Sequence, residues 1–90
     1  MALKYLHNDR RKAYRLAVVV SKKVNKSAVQ RNRIRRRLYE AVRRYEAQIN
    51  EPYDLVLTVF SEKLLDLSPA ELDKLVQSGL RQAHITTTKD

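Results

Sequence analysis

The chain reads as an α/β (α+β) two-layer sandwich, a small sheet with helices on one face and elements in the order β-β-α-β-α. Three observations predict this. Two short runs, Leu16–Val20 and Tyr53–Phe60, are rich in the residues that favour pleated, half-buried backbone. Two other segments open on serine-led capping patterns and continue with apolar residues three and four apart. Strand-like and helix-like segments together fill 90 residues with no internal repeat, low-complexity linker or second unit, so one domain, 1–90, is expected.

The first strand is Ala2 to His7 and the second Tyr14 to Ser21, flanking the polar stretch Asn8-Asp9-Arg10-Arg11-Lys12-Ala13. Adjacent strands around a polar loop predict a β-hairpin whose turn opens on Asn8-Asp9. Next, Ser27-Ala28-Val29-Gln30 fits a capping box, with Ser27 accepting from the Gln30 N–H and Gln30 reaching back. Behind it Ile34, Leu38, Ala41, Val42, Tyr45 and Ile49 form one apolar stripe, predicting a helix from about Ser27 to Ile49, stopped by Asn50-Glu51-Pro52. In the run from Tyr53 to Phe60, Tyr53, Leu55, Leu57 and Val59 share one face. The last helix begins at Ser68-Pro69-Ala70-Glu71, with Ser68 as N-cap, Pro69 at the first helical position and Glu71 closing the box. Leu72, Leu75, Val76, Leu80 and Ala83 make its stripe.

Charge is distributed very unevenly. From Lys22 to Arg44 there are ten basic residues (Lys22, Lys23, Lys26, Arg31, Arg33, Arg35, Arg36, Arg37, Arg43 and Arg44) and one acid, Glu40, a net +9 that equals the charge of the whole chain. Crowded like charges repel and oppose compaction, whereas a polyphosphate removes the repulsion and releases counterions, so nucleic acid is the expected partner. A solvated helix face normally mixes signs at i, i+4, and this one does not. Its arginines also begin near the positive end of the helix dipole, where an anion would be welcome. Arginine grips phosphate with two donors, and Asn32 between two arginines offers donor and acceptor to a ribose or base edge. RNA fits better than DNA: a valine-rich strand, not a helix and short turn, precedes the basic helix. The A-form major groove, moreover, leaves recognition to phosphates and 2′-hydroxyls.

Other chemistries have little support. The chain has no cysteine, hence no disulfide or thiolate metal site. It has no phosphate-binding glycine loop, and no apolar run near the roughly 18 residues of a membrane span. No signal-peptide stretch marks the N-terminus, so a cytoplasmic location without a membrane partner is expected. His7 and His84 lie at opposite ends without a nucleophile, and read as surface residues. Asp66, Glu71 and Asp73 surround a helix start, where capping accounts for them. No catalytic residue and no metal ligand of the protein's own is expected.

The segment from Arg15 to Leu38 resembles the protein component of bacterial ribonuclease P. It has a strand ending in Ser21-Lys22-Lys23, a short loop, then Ala28-Val29-Gln30-Arg31-Asn32-Arg33 opening a long basic helix. Asp54 leading the next strand and Ser68-Pro69-x-Glu71 also agree, so the resemblance covers nearly the whole chain. It implies a left-handed strand–helix–strand crossover, as in the ribosomal S5 domain 2-like fold, against the usual hand. It implies a partner, the catalytic RNA of ribonuclease P, which removes 5′ leaders from precursor tRNA with magnesium ions. The protein is then a monomeric, non-catalytic subunit of that RNA-based endonuclease. Its RNA-binding residues would be Lys22, Lys23, Lys26, Arg31, Asn32, Arg33, Arg35, Arg36, Arg37, Arg43 and Arg44.

The family also binds leader in an open groove on the sheet. Here Arg15, Ala17, Val19 and Ser21 share one strand face, and with Phe60, beside Val56 and Thr58, they are the expected leader-binding set. Two departures bear on this. Family members usually begin with a helix and a further short strand, and this chain starts at what resembles the second strand. The loop Val24-Asn25-Lys26-Ser27 has asparagine where the family commonly has glycine and one residue fewer; asparagine is the best non-glycine substitute in left-handed backbone. The alternative function is a structural RNA-binding module of ribosomal-protein type.

Overall fold

Apolar residues at every second position of two strands, and every third or fourth of two helices, supply the faces of one core. In the computed structural model, which describes residues 1–10, 12–49 and 51–83, the strands are β1 (Ala2–His7), β2 (Arg15–Val20) and β3 (Tyr53–Val59). The helices are α1 (Ala28–Arg43) and α2 (Pro69–Gln82), and short 3₁₀ turns occupy Glu46–Gln48 and Glu62–Asp66. Val18 and Val20 of β2 and Leu55, Leu57 and Val59 of β3 are buried under Ile34, Leu38, Ala41 and Val42 of α1 and Leu72, Val76 and Leu80 of α2. The other face of the sheet carries no helix among the described residues. The two-layer α+β reading holds.

Strand order corrects the expected hairpin. β1 and β2 do not pair: the order is β1-β3-β2, with β1 antiparallel and β2 parallel to β3. β3 is apolar on its inner face and carries half-buried Val56 and Thr58 on its outer one. In the middle position β3 pairs its backbone N–H and C=O groups along both edges. Residues 8–14 are long enough to step over one strand, about 10 Å across. That loop is tied to β3, with the Asn8 N–H on the Pro52 carbonyl at 2.9 Å and Asn8 Nδ2 on Asp54 Oδ2 at 3.0 Å. Across the outer face the register gives the rows Leu6–Asp54–Arg15, Lys4–Val56–Ala17 and Ala2–Thr58–Val19.

α1 is shorter than the apolar stripe predicts, ending at Arg43 rather than Ile49. Its 16 residues rise about 24 Å, already more than the roughly 20 Å of the six-residue β2 beneath it. The chain must return to the sheet for β3 to start beside Arg15, so a longer helix would overshoot. Tyr45 instead closes a tight turn, its N–H on the Val42 carbonyl at 2.9 Å, and the following 3₁₀ turn still delivers Tyr45 and Ile49 to the edge of the core. At the other end Ser27 Oγ accepts from the Gln30 N–H at 3.3 Å. The Ser27 N–H goes to Asn25 Oδ1 at 2.9 Å, so Asn25 supplies the half of the box expected from Gln30.

α2 follows its sequence pattern closely. Ser68 Oγ accepts from the Glu71 N–H at 3.1 Å, the Ser68 N–H donates to Glu71 Oε1 at 3.2 Å, and Pro69 opens the helix. Hydrogen bonding of the carboxylate by the Ser68 backbone N–H, and after it by the Ser68 side chain, holds the Glu71 carboxyl below its ordinary value of 4.5. Leu75 departs from its expected place in the stripe and is exposed. His84 lies outside the described residues.

Candidate nucleic-acid interface

The basic segment folds into two connected surfaces: the loop after β2, which carries Lys22, Lys23 and Lys26, and the exposed sides of α1. Lys22, Lys23 and Lys26 are exposed, as are Asn32, Arg33, Arg36, Arg43 and Arg44; Arg31, Arg35 and Arg37 are half-buried. The structure thus brings the predicted RNA-binding residues onto one contiguous element pair. It also separates them by what their side chains hold.

Four arginines of this segment are engaged within the fold. Arg37 donates through Nη1 to the carbonyls of Leu64 (2.6 Å) and Leu65 (3.1 Å), and through Nη2 to that of Leu67. The guanidinium fork thus gathers the carbonyls at and just beyond the end of the 3₁₀ turn at Glu62–Asp66. Arg31 donates through Nη1 to the carbonyls of Asn25 (3.0 Å) and Lys26 (2.9 Å), pinning the basic loop to the first turn of α1. The cation that sequence places against the helix dipole therefore answers to loop carbonyls. Arg44 pairs with Asp73, joining α1 to α2 and giving that acid a role beyond capping. Arg35 donates to Asn32 Oδ1 on the helix surface.

The remaining six cations are differently placed. Among the described residues, no side-chain hydrogen bond or ion pair engages Lys22, Lys23, Lys26, Arg33, Arg36 or Arg43. Arg36 and Arg43 lie opposite the buried stripe of α1. Arg33 stands at the rim of a cleft of ≈ 710 Å³ between α1 and the 3₁₀ turn, whose lining includes Glu62 and Asp66. Asn25 Nδ2 donates to Glu62 Oε2 at 3.1 Å across that cleft, bracing the loop. Six uncommitted cations, with Glu40 on the helix and Glu62 and Asp66 in the cleft beside Arg33, can neutralise several phosphates without breaking any bond of the fold.

The outer sheet face holds the second expected set. Ala17, Val19, Ser21 and Phe60 are exposed there, Val19 at 47% and Phe60 at 66%, around half-buried Val56 and Thr58. Arg15 is on this face but its guanidinium is held by Asp54, Nε on Oδ1 at 3.2 Å and Nη2 on Oδ2 at 3.1 Å. Lys4 and Leu6, exposed on β1, complete the surface. Sequence reasoning missed both, because a β1–β2 hairpin would have put β1 on the far side of β2 from β3. It also passed over Tyr39, exposed among the arginines of α1, whose only signal is its spacing from Asn32 and Arg36.

Among the described residues there is no group of three or more histidine, cysteine or acidic side chains placed to hold a metal ion, and no helix long and apolar enough to cross a membrane. On the inner face His7 contacts Glu51 through Nε2 and Asp9 through Nδ1 (2.8 Å), and its ring stands edge-on to Tyr53. Tyr14 donates its hydroxyl to Glu46 Oε2 at 3.0 Å. Burial and then this carboxylate push the Tyr14 phenol up from 10.0.

Comparison with known proteins gives one consistent picture. The family model described as Ribonuclease P matches residues 1–84. The Ribonuclease P protein component of Chloroflexus aurantiacus is 40% identical over 74 residues, 82% of this chain and 54% of the relative. That of a Roseiflexus species is 38% identical over 82 residues, 91% of this chain and 66% of the relative. The chain thus spans about half the length of the Chloroflexus relative. In three dimensions it is similar to the Staphylococcus aureus RNase P protein, with a TM-score of 0.78 at 22% identity over 94% of this chain and 75% of that one; at such identity the likeness speaks for the fold.

Proposed function

The chain belongs to the ribonuclease P protein family, and on that premise we propose that it is the RNA-binding protein subunit of a ribonuclease P. It binds the catalytic RNA through the loop after β2 and the outward side of α1, and assists removal of 5′ leaders from precursor tRNA. The observation that carries this reading is the set Lys22, Lys23, Lys26, Arg33, Arg36 and Arg43, six exposed cations with no partner within the described fold. Arg31, Arg35, Arg37 and Arg44 serve the site by shaping the loop and helix that present them, and Asn32 offers hydrogen bonds to a ribose or base edge.

Hydrolysis in this reading belongs to the RNA and its magnesium ions. The protein's part is to lower the repulsion between two polyanions, which metal ions would otherwise have to screen. Leader binds across the outer sheet face, where Ala17, Val19 and Ser21 let a backbone approach and Phe60 stacks on a base. Arg15 offers a phosphate contact only in competition with Asp54; Lys4, one row away, is the less encumbered cation.

The test is cleavage of precursor tRNA by the cognate catalytic RNA with and without the protein. The protein alone is expected to leave precursor tRNA intact, and its addition to raise RNA-catalysed cleavage most at low magnesium. Cleavage by an RNA-free preparation of the protein would refute the non-catalytic role. For the leader face, Val19→Glu is expected to reduce the preference for precursor over mature tRNA while leaving affinity for the catalytic RNA unchanged. An unaltered preference would remove that assignment alone.

A further inference from the structure

On α1, Asn32, Arg36, Tyr39 and Arg43 are spaced four, three and four apart, so they align in one stripe opposite the buried one. Tyr39 is 41% exposed. Among the described residues no ring packs against it. Together with Arg35 and Glu40, these four line a shallow depression of ≈ 400 Å³. Arg35 is drawn across the helix surface by its bond to Asn32 Oδ1.

The lining is not uniform in what it attracts. Its three guanidinium groups suit phosphate oxygens. Tyr39 and Glu40 do not: an aromatic face offers a phosphate nothing, and the Glu40 carboxylate repels it. A nucleobase suits these two on both counts, since it stacks on the ring and its amino groups can donate to a carboxylate. We propose that Tyr39 is a stacking platform for an unpaired base of the bound RNA, with the phosphates on either side of that base lying on Arg36 and Arg43. The proposal rests on the reading that this chain binds RNA through α1, and deepens it by adding a base contact to a surface otherwise specified by charge.

Stacking and charge neutralisation leave different signatures. Removing a phosphate contact flattens the dependence of log K on log salt, whereas removing a stacked ring lowers affinity with little change of slope. The experiment measures binding of the 90-residue chain to the ribonuclease P RNA of its own genome across a salt series. Tyr39→Ala is expected to weaken binding roughly 5- to 100-fold with the slope preserved, and Tyr39→Phe to retain affinity. Arg36→Ala is expected to flatten the slope by roughly 0.7–0.9. The chain has no tryptophan, so Tyr39→Trp introduces a single indole whose emission should be quenched when RNA binds. Thermal unfolding of each variant establishes that the fold is kept. Wild-type affinity in Tyr39→Ala, or an unquenched indole in the bound complex, would overturn the stacking site while leaving the RNA-binding reading in place. Absence of salt-dependent binding by the wild-type chain would instead overturn that reading, and this one with it.

Discussion

Two sets of arginines on one helix and its C-cap, alike in sequence, have opposite fates. Arg31, Arg37 and Arg44 turn toward the fold and bond to the carbonyls of residues 25, 26, 64, 65 and 67 and to Asp73. Arg33, Arg36 and Arg43 turn outward and bond to nothing in the described chain. The first set builds the platform and the second is available to a ligand. A basic run thus specifies how much charge an element carries, while rotation about the helix axis and the reach of neighbouring loops specify how much of it is free.

The largest effect that would break this division is on RNA affinity. Replacing Arg33, Arg36 and Arg43 together by alanine is expected to flatten the log K against log salt slope by about two to three units. Thermal stability should stay within about 0.5 kcal/mol of wild type. If the slope is unchanged, the outward set is not the phosphate-binding set. The same measurement on Arg37→Ala should show the reverse, a small change in slope and a loss of stability.

That loss is the next largest effect. Arg37→Ala leaves three carbonyls without their shared cation, and a charged hydrogen-bond network of this kind contributes on the order of 1–2 kcal/mol once its partial exposure is allowed for. Denaturant unfolding checks it. Arg37→Lys should recover only part, because a single ammonium cannot reproduce the planar fork that spans Leu64 to Leu67. Full recovery by lysine would show that charge alone is what the turn requires. Arg44→Ala sharpens the comparison at lower amplitude: its pair with Asp73 is partly exposed and is expected to contribute about 0–1 kcal/mol.

The smallest expected effect lies in α2, away from either set. Because Glu71 has its folded pKa lowered, its contribution is present above the unfolded value near 4.5 and is lost as pH falls through the folded one. Glu71→Gln keeps an acceptor for the Ser68 N–H but cannot titrate. The stability difference between wild type and variant is therefore expected to shrink as pH drops below 4.5, and thermal melts across that range measure it. A difference independent of pH would mean that the capping bond, not the charge, carries the stabilisation.

Much of the site's framework could be read before any coordinates. Ser27 and Ser68 marked both helix starts, since capping involves residues only three apart. Ile34, Leu38, Ala41 and Val42 identified the buried face of α1, so Arg36 and Arg43 could be placed opposite it. Ala17 and Val19 could be assigned to the uncovered sheet face because side chains alternate strictly along a strand. Arg37 could not be sorted the same way. Its partners are 27 to 30 residues further along the chain, in a 3₁₀ turn that no periodicity announced.

What the sequence by itself determined, then, was the identity and facing of the elements, because those depend on interactions within a few residues of one another. Tertiary structure decided the rest. It placed β3 between β1 and β2, pairing its backbone along both edges with strands from the other side of the basic helix in the chain. It stopped α1 at Arg43, since the helix had to match the strand it covers. It brought Lys4 and Leu6 onto the outer face, and it engaged Arg31, Arg37 and Arg44 while leaving Arg33, Arg36 and Arg43 exposed. Each of these outcomes depends on groups distant in the chain meeting at hydrogen-bonding or packing distance, and no local pattern of residues encodes that meeting.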